Sequence, residues 1–300
     1  KGSAILASNG FEEAIEAFNK ALEIRPDYVT AYYDKGRCLV HMEMFREAVL
    51  AFDNALALQP KYAEALYHKG TALTKLSQYD DAIRAFDLAL KIRPNFAYIW
   101  TGKGIAVAAL GRDDEATRFF AKALSIDPKD SRASYAQGVS LLRLGRYQDA
   151  IRNFESVLVQ NPDCAEAFYQ KGRGLAMLSM DNEAVSAYDR ALALNDAFTD
   201  AWLYRGISRA SLKQYDRAIE DYDHAISLNP TYAAAHLFKG IALIRVLRHE
   251  DAVDAFDQAL ASHPDYPEAY YYKGLALFEQ KRYGEALPAF DLALASNNRY

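Results

Sequence analysis

The sequence predicts an all-α protein, a solenoid of tandem helix–turn–helix repeats, and three observations carry that expectation. Proline stands at Pro26, Pro60, Pro94, Pro128, Pro162, Pro230 and Pro264, thirty-four residues apart except where Asp196 fills the one gap. Glycine keeps the same step at Gly2, Gly36, Gly70, Gly104, Gly138, Gly172, Gly206, Gly240 and Gly274, and alanine keeps it from Ala14 and Ala48 through Ala252 and Ala286. Aromatic residues run in register with both, at Phe18, Phe52, Phe86, Phe120, Phe154, Tyr188, Tyr222, Phe256 and Phe290. Self-similarity at a fixed period of this size marks a repeat array, which grows by stacking and escapes the usual relation between length and domain number.

Counting from Val29 gives one solenoid domain, 1–300, made of a partial repeat (1–28) and full repeats at 29–62, 63–96, 97–130, 131–164, 165–198, 199–232, 233–266 and 267–300. Within a repeat the first helix comes first: Ala65–Leu76 carries apolar residues at helical spacing. After a short break Tyr79–Ile92 does the same. Acidic residues such as Asp80, Asp81, Asp114 and Glu115 open the second helix, where they complement its dipole. Proline ends it, because it donates no ladder hydrogen bond and restricts the residue before it. The link to the next repeat finishes, in most repeats, on an aromatic: Tyr62, Phe96, Phe198, Tyr232, Tyr266.

The small residues have a packing reason. Gly70 and Ala82 fall where the two helices of a repeat should cross most closely, Phe86 fills the wedge beside the crossing, and Ala89 leaves room for the next repeat. A glycine inside a helix costs about 1 kcal/mol relative to alanine. Its return at one spacing along the whole chain implies that close approach outweighs propensity.

Gly70, Tyr79, Ala82, Phe86, Ala89 and Pro94 together resemble the signature of the tetratricopeptide repeat family, and the likeness covers the entire chain. That resemblance implies a right-handed superhelix of antiparallel helix pairs, with the first helices lining a concave groove that is left for ligands. It also implies a protein–protein interaction scaffold and not an enzyme.

Helical spacing assigns the inner face. On the first helix Trp100, Gly104 and Val107 face the partner helix, so repeat positions five, nine and twelve lie on another face. The candidate peptide-binding residues are Tyr33, Arg37, Tyr67, Ile105, Tyr135, Val139, Tyr169, Arg173, Ile207, Ile241 and Tyr271 from that face, with Tyr204 and Phe238 from position six, which turns aromatic in the later repeats. Tyrosine and arginine are over-represented among interface hot spots, since each joins large contact area to a polar tip. A peptide or protein segment of mixed character suits such a wall. The same tyrosines also read as side chains that edge the core and meet no ligand. Family members that clamp acidic chaperone tails use lysine and asparagine at set positions; Tyr33, Arg37, His68, Tyr98 and Gly102 do not supply that set. An asparagine ladder at position six is equally absent, that position holding Asp34, His68, Gly102, Ala136, Gln170, Tyr204, Phe238 and Tyr272.

Several residues depart from the pattern. Arg209 stands where other repeats carry Leu39, Leu73 or Val107, and needs solvent or a carboxylate. Pro288, inside the last second helix, should loosen or kink it. Asp130 and Cys164 replace the aromatic after the proline and mark expected soft junctions.

Composition bounds the rest. A net charge of -5 and a pI near 5.7 argue against a nucleic-acid partner, whose phosphates reward a basic face. No apolar run is long enough to span a bilayer, nothing in the opening residues announces secretion, and the sparse cysteines make a reducing, cytoplasmic setting the expectation. Cys38 and Cys164, far apart, form neither a disulfide framework nor a zinc spacing. His41, His68, His224, His236, His249 and His263 share no metal-ligand spacing, and the Gly-x-Gly runs at 102–104 and 172–174 follow no strand, so no metal or cofactor is expected. The opening residues read as mid-helix, which suggests a segment of something longer. Neither end shows a polar capping helix, so end-to-end self-association and membership of a larger regulator or enzyme stand as alternatives to groove binding.

Overall fold

A computed structural model describes residues 10–297. Gly2 and the expectation of a helix at the opening residues lie outside the described residues, as does Tyr300. The described residues contain seventeen helices and no strand. A second helix, α1 (Phe11–Ile24), precedes the pairs α2 (Val29–His41) with α3 (Phe45–Leu58), α4 (Ala63–Lys75) with α5 (Tyr79–Ile92), and α6 (Ala97–Ala109) with α7 (Asp113–Ile126). The pairs continue with α8 (Ser131–Arg143) and α9 (Tyr147–Gln160), α10 (Ala165–Met177) and α11 (Asp181–Leu194), and α12 (Thr199–Ser211) and α13 (Tyr215–Leu228). They end with α14 (Ala233–Arg245) and α15 (His249–Ser262), then α16 (Pro267–Glu279) and α17 (Tyr283–Asn297). Contacts divide the chain into two compact halves, with the boundary inside α9 between Ser156 and Val157. In both halves each first helix packs on its own second helix, and successive first helices touch.

The sequence pattern explains the packing. In the first half a Cβ added to Gly70 would lie 2.8 Å from the Phe86 ring, and one added to Gly104 would lie 2.5 Å from Phe120. The glycine therefore makes room for the ring of the second helix, so Phe86 and Phe120 are fully enclosed. Ala82 and Ala89 beside them are equally buried. In the second half Tyr188, Tyr222 and Phe256 fill the same place, and one continuous core runs from Leu203 to Ala286.

Two kinds of turn separate the helices. The turn inside a repeat places one residue in the left-handed region, at Glu43, Ser77, Gly111, Gly145, Ser179, Lys213, Leu247 and Lys281. In that turn Gln78 N–H bonds the Leu73 carbonyl at 2.9 Å and Ser77 N–H the Thr74 carbonyl at 3.1 Å, the pattern that closes a helix C-terminus. The turn between repeats holds the proline.

Two departures from the repeat pattern are placed by the structure. Pro288 lies inside α17, which continues through it to Asn297. Asp130 makes local ties: its carboxylate accepts from Ala133 N at 2.9 Å, capping α8, and from Thr101 Oγ1 at 2.7 Å, fastening α6 to the start of the next repeat.

Candidate functional site

The candidate residues gather into two clusters, one in each half. In the first half Tyr33 on α2 and Tyr67 on α4 pack against the rings behind them, 6.2 Å from Phe52 and 6.0 Å from Phe86. His68 stands between them, 5.7 Å from Tyr33, 5.1 Å from Tyr67 and stacked on Phe52 at 5.9 Å. Tyr62 and Tyr98 extend the cluster, at 4.9 Å from Tyr33 and 4.6 Å from Tyr67. Arg37 lies 5.8 Å over the Tyr33 ring and Arg132 donates to Tyr67 Oη at 3.4 Å, so a guanidinium borders each tyrosine. Burial pushes the Tyr33 phenol up to about 12, against the opposing charge of Arg37, so it stays a neutral donor and acceptor across the physiological range. Burial, with Arg37 and His41 adding to it, pushes His68 down to about 4, so this ring is neutral at pH 7.

In the second half Tyr169 on α10 lies 4.7 Å from Phe198 and 5.8 Å from Tyr204. Arg173 sits over both tyrosines, 5.8 Å from Tyr169 and 5.5 Å from Tyr204, while donating to Gln170 Oε1 at 3.0 Å. Tyr169 itself is only 7 % exposed, so Tyr204 and Arg173 form the accessible surface of this cluster.

The other candidates lie against the core of their own repeat or of the repeat before it. Ile105 and Val139 are half-buried on the cores of their helix pairs, and Tyr135 meets Phe154 edge-on at 5.8 Å. Ile207 and Ile241 flank the second-half core, and Phe238 stacks on Tyr222 at 6.3 Å. Tyr271 is exposed, 6.0 Å from Phe290.

Sequence reasoning missed Tyr62, His68 and Tyr98 as members of the first cluster. Tyr62 belongs to the series of aromatics that end the turns, and that regularity was the available signal. It also missed the partners of Arg209. Arg209 Nη1 donates to Asp221 at 2.8 Å, and Arg205 grips the same carboxylate through Nη2 at 2.6 Å and Asp189 through Nη1 at 2.5 Å. Asp221 is buried where other repeats place Ala51, Ala85, Ala187 or Ala255, so two departures from the pattern neutralise each other.

Among the described residues no group of three or more His, Cys, Asp or Glu is placed to hold a metal ion, and no helix is long and apolar enough to cross a membrane.

Models of the tetratricopeptide repeat match residues 29–62, 63–96, 97–130, 135–178, 199–232 and 239–299, and a TPR repeat model matches 2–40. No curated protein matches the chain. Among solved structures the chain is similar to MamA, at 30% identity over 54% of this chain and 94% of that one, with a TM-score of 0.51. It is similar in fold to YrrB, a TPR protein with an unusual peptide-binding site, at 24% identity over 62% of this chain and 96% of that one, TM-score 0.51. The Cut9 and Hcn1 hetero-tetramer of the APC/C matches 96% of this chain and 57% of that one at 18% identity, TM-score 0.62. Paired helices at a constant step, the glycine-to-ring packing and the family matches along the chain lead to one assignment: this chain belongs to the tetratricopeptide repeat family, whose members are protein–protein interaction scaffolds and generally not catalysts.

Proposed function

We propose that the chain binds a protein segment on the faces presented by its first helices, through the Tyr33–Arg37–Tyr67 cluster of the first half and the Tyr169–Arg173–Tyr204 cluster of the second. The observation that supports this reading is the pairing of arginines with tyrosine rings, half-buried at Tyr33 and Tyr204 and buried at Tyr169, over which they are poised. Rings already packed at the back lose little freedom when a ligand covers the front, and the guanidinium adds a directional contact to a carbonyl or carboxylate. Ile105, Tyr135, Val139, Ile207, Phe238, Ile241 and Tyr271 would widen the contact with apolar area.

The test is affinity capture followed by mapping of the captured protein on overlapping peptides. Tyr67→Ala and Arg173→Ala should each weaken the mapped peptide about tenfold or more, the loss of one hot-spot contact. A mapped peptide indifferent to both substitutions would sink the reading. Light scattering of the same sample separates a second reading, self-association. That reading draws on Leu287, Leu292 and Leu294, exposed along α17, and on the hollow between Tyr271, Tyr272 and Phe290. A mass that stays monomeric at high concentration removes it.

A further inference from the structure

The junctions between repeats share a cross-tie that sequence inspection did not reveal. A basic residue on the first helix reaches back sixteen residues to an acid on the preceding second helix: Lys69 to Asp53 at 2.5 Å, Lys103 to Asp87 at 2.6 Å, Lys239 to Asp223 at 2.6 Å and Lys273 to Asp257 at 2.5 Å. Three residues earlier, a large side chain fills the same junction. Trp100 Nε1 donates to the Pro94 carbonyl at 2.8 Å, Trp202 Nε1 to the Asp196 carbonyl at 2.7 Å, and a His236 ring nitrogen meets the Pro230 carbonyl at 3.0 Å.

One junction in the first half lacks both devices. Ala121 takes the place of the acid, Gln137 the place of the lysine, and Ser134 the place of the large ring. Gln137 turns instead to the Thr117 carbonyl at 3.1 Å. A cavity of about 590 Å³ opens there, with Ala121, Ser134 and Gln137 in its wall. None of the tyrosine clusters lines it. Its rim carries Arg118, Arg146 and Arg152 against a single carboxylate, Asp149, which is shared by Arg146 at 2.6 Å and by Arg152. Among the described residues Arg118 forms no ion pair or hydrogen bond. The site therefore holds positive charge in excess, in a chain whose net charge is -5. Leu124, Pro128 and Leu141 give its lining an apolar part.

We infer that this junction is a second binding site, and that it takes an acidic side chain lying next to an aromatic ring on a partner protein. Such a segment supplies what the other junctions build in: a carboxylate for the unpaired guanidinium and a ring for the slot that Ser134 leaves. The volume is in the range of ordinary ligand pockets, and guanidinium–carboxylate pairs are the strong, geometrically specific kind of hydrogen bond. The inference does not depend on the tyrosine clusters.

The test is calorimetry with a capped peptide, acetyl-Gly-Glu-Trp-Glu-Gly-amide, as the probe. The unmodified chain should bind it, and Arg118→Ala, a change to an exposed side chain, should weaken it about tenfold or more. Ala121→Asp combined with Gln137→Lys restores the cross-tie and should abolish binding while the chain melts no lower than before. The peptide with glutamine for glutamate, and the one with alanine for tryptophan, should each bind at least about tenfold more weakly. Equal binding by the open and the cross-tied chains would overturn the site. Displacement of the probe by inorganic phosphate at comparable concentration would overturn the acidic segment as its occupant.

Discussion

At the scale of single residues the first cluster turns on His68. Its ring is stacked on Phe52 at 5.9 Å, and the same repeat position holds Phe238 on Tyr222 and Tyr272 on Phe256, at 6.3 and 6.2 Å. In these three repeats position six thus stacks on the ring of the preceding repeat. The sequence listing of that position showed its mixed character but not this role, because the direction of the side chain depends on where the next helix lies. The consequence for pH follows from the sign of the shift. The folded-state value, about 4, lies below the ordinary 6.5, so the unfolded chain takes up a proton in a range where the folded chain does not. The neutral ring's contribution is complete above 6.5 and is lost as pH falls from there to about 4. His68→Phe keeps the stack and removes the titration. Denaturant midpoints measured across that window should therefore fall less steeply in the variant than in the parent, and equal slopes would contradict the assignment.

At the scale of elements the helices themselves were legible: α5 spans the residues read from periodicity, and the acidic first turns and terminating prolines stand as expected. The turn inside each repeat was not. Eight turns share one left-handed residue, yet only Gly111 and Gly145 announce it, the rest being Glu, Ser, Lys or Leu. The helix-closing hydrogen bonds hold the backbone in that conformation whatever the side chain, so the geometry repeats without a sequence signature. Leu247, with φ of 63° and 77 % of its surface exposed, gains little packing to offset the strain. Leu247→Gly should raise stability by about 0.5–1 kcal/mol, because glycine enters the left-handed region without the Cβ clash. A thermal melt is sufficient to read this, and a lowered melting temperature would show that the leucine side chain matters more than the turn.

At the scale of the whole molecule the recurrent principle is locality: helices touch their neighbours and next neighbours, so stability is a sum of repeat and junction contributions. The charge cluster of the second half gives that principle a sharp probe. Asp221 is 1 % exposed at its side chain and holds Arg205 and Arg209, whose side chains are 11 % and 16 % exposed. Asp221→Ala leaves the two guanidiniums with only Asp189, and breaking a buried pair in this way costs about 3–5 kcal/mol. Reverting the cluster to the common pattern, with Arg205→Lys, Arg209→Leu and Asp221→Ala together, removes the uncompensated charge and should be neutral or stabilising, since apolar replacement of a buried ionic group often is. Hydrogen exchange resolves where each change acts. In Asp221→Ala the amides of α11 to α14 should lose protection, while those of α2 to α5 keep theirs, because a junction-by-junction array confines a defect to its neighbours. Uniform loss along the chain would mean that the array unfolds as one cooperative block. In that case the Asp189–Arg205–Asp221–Arg209 cluster would be contributing to the stability of every repeat and not to its own junction alone.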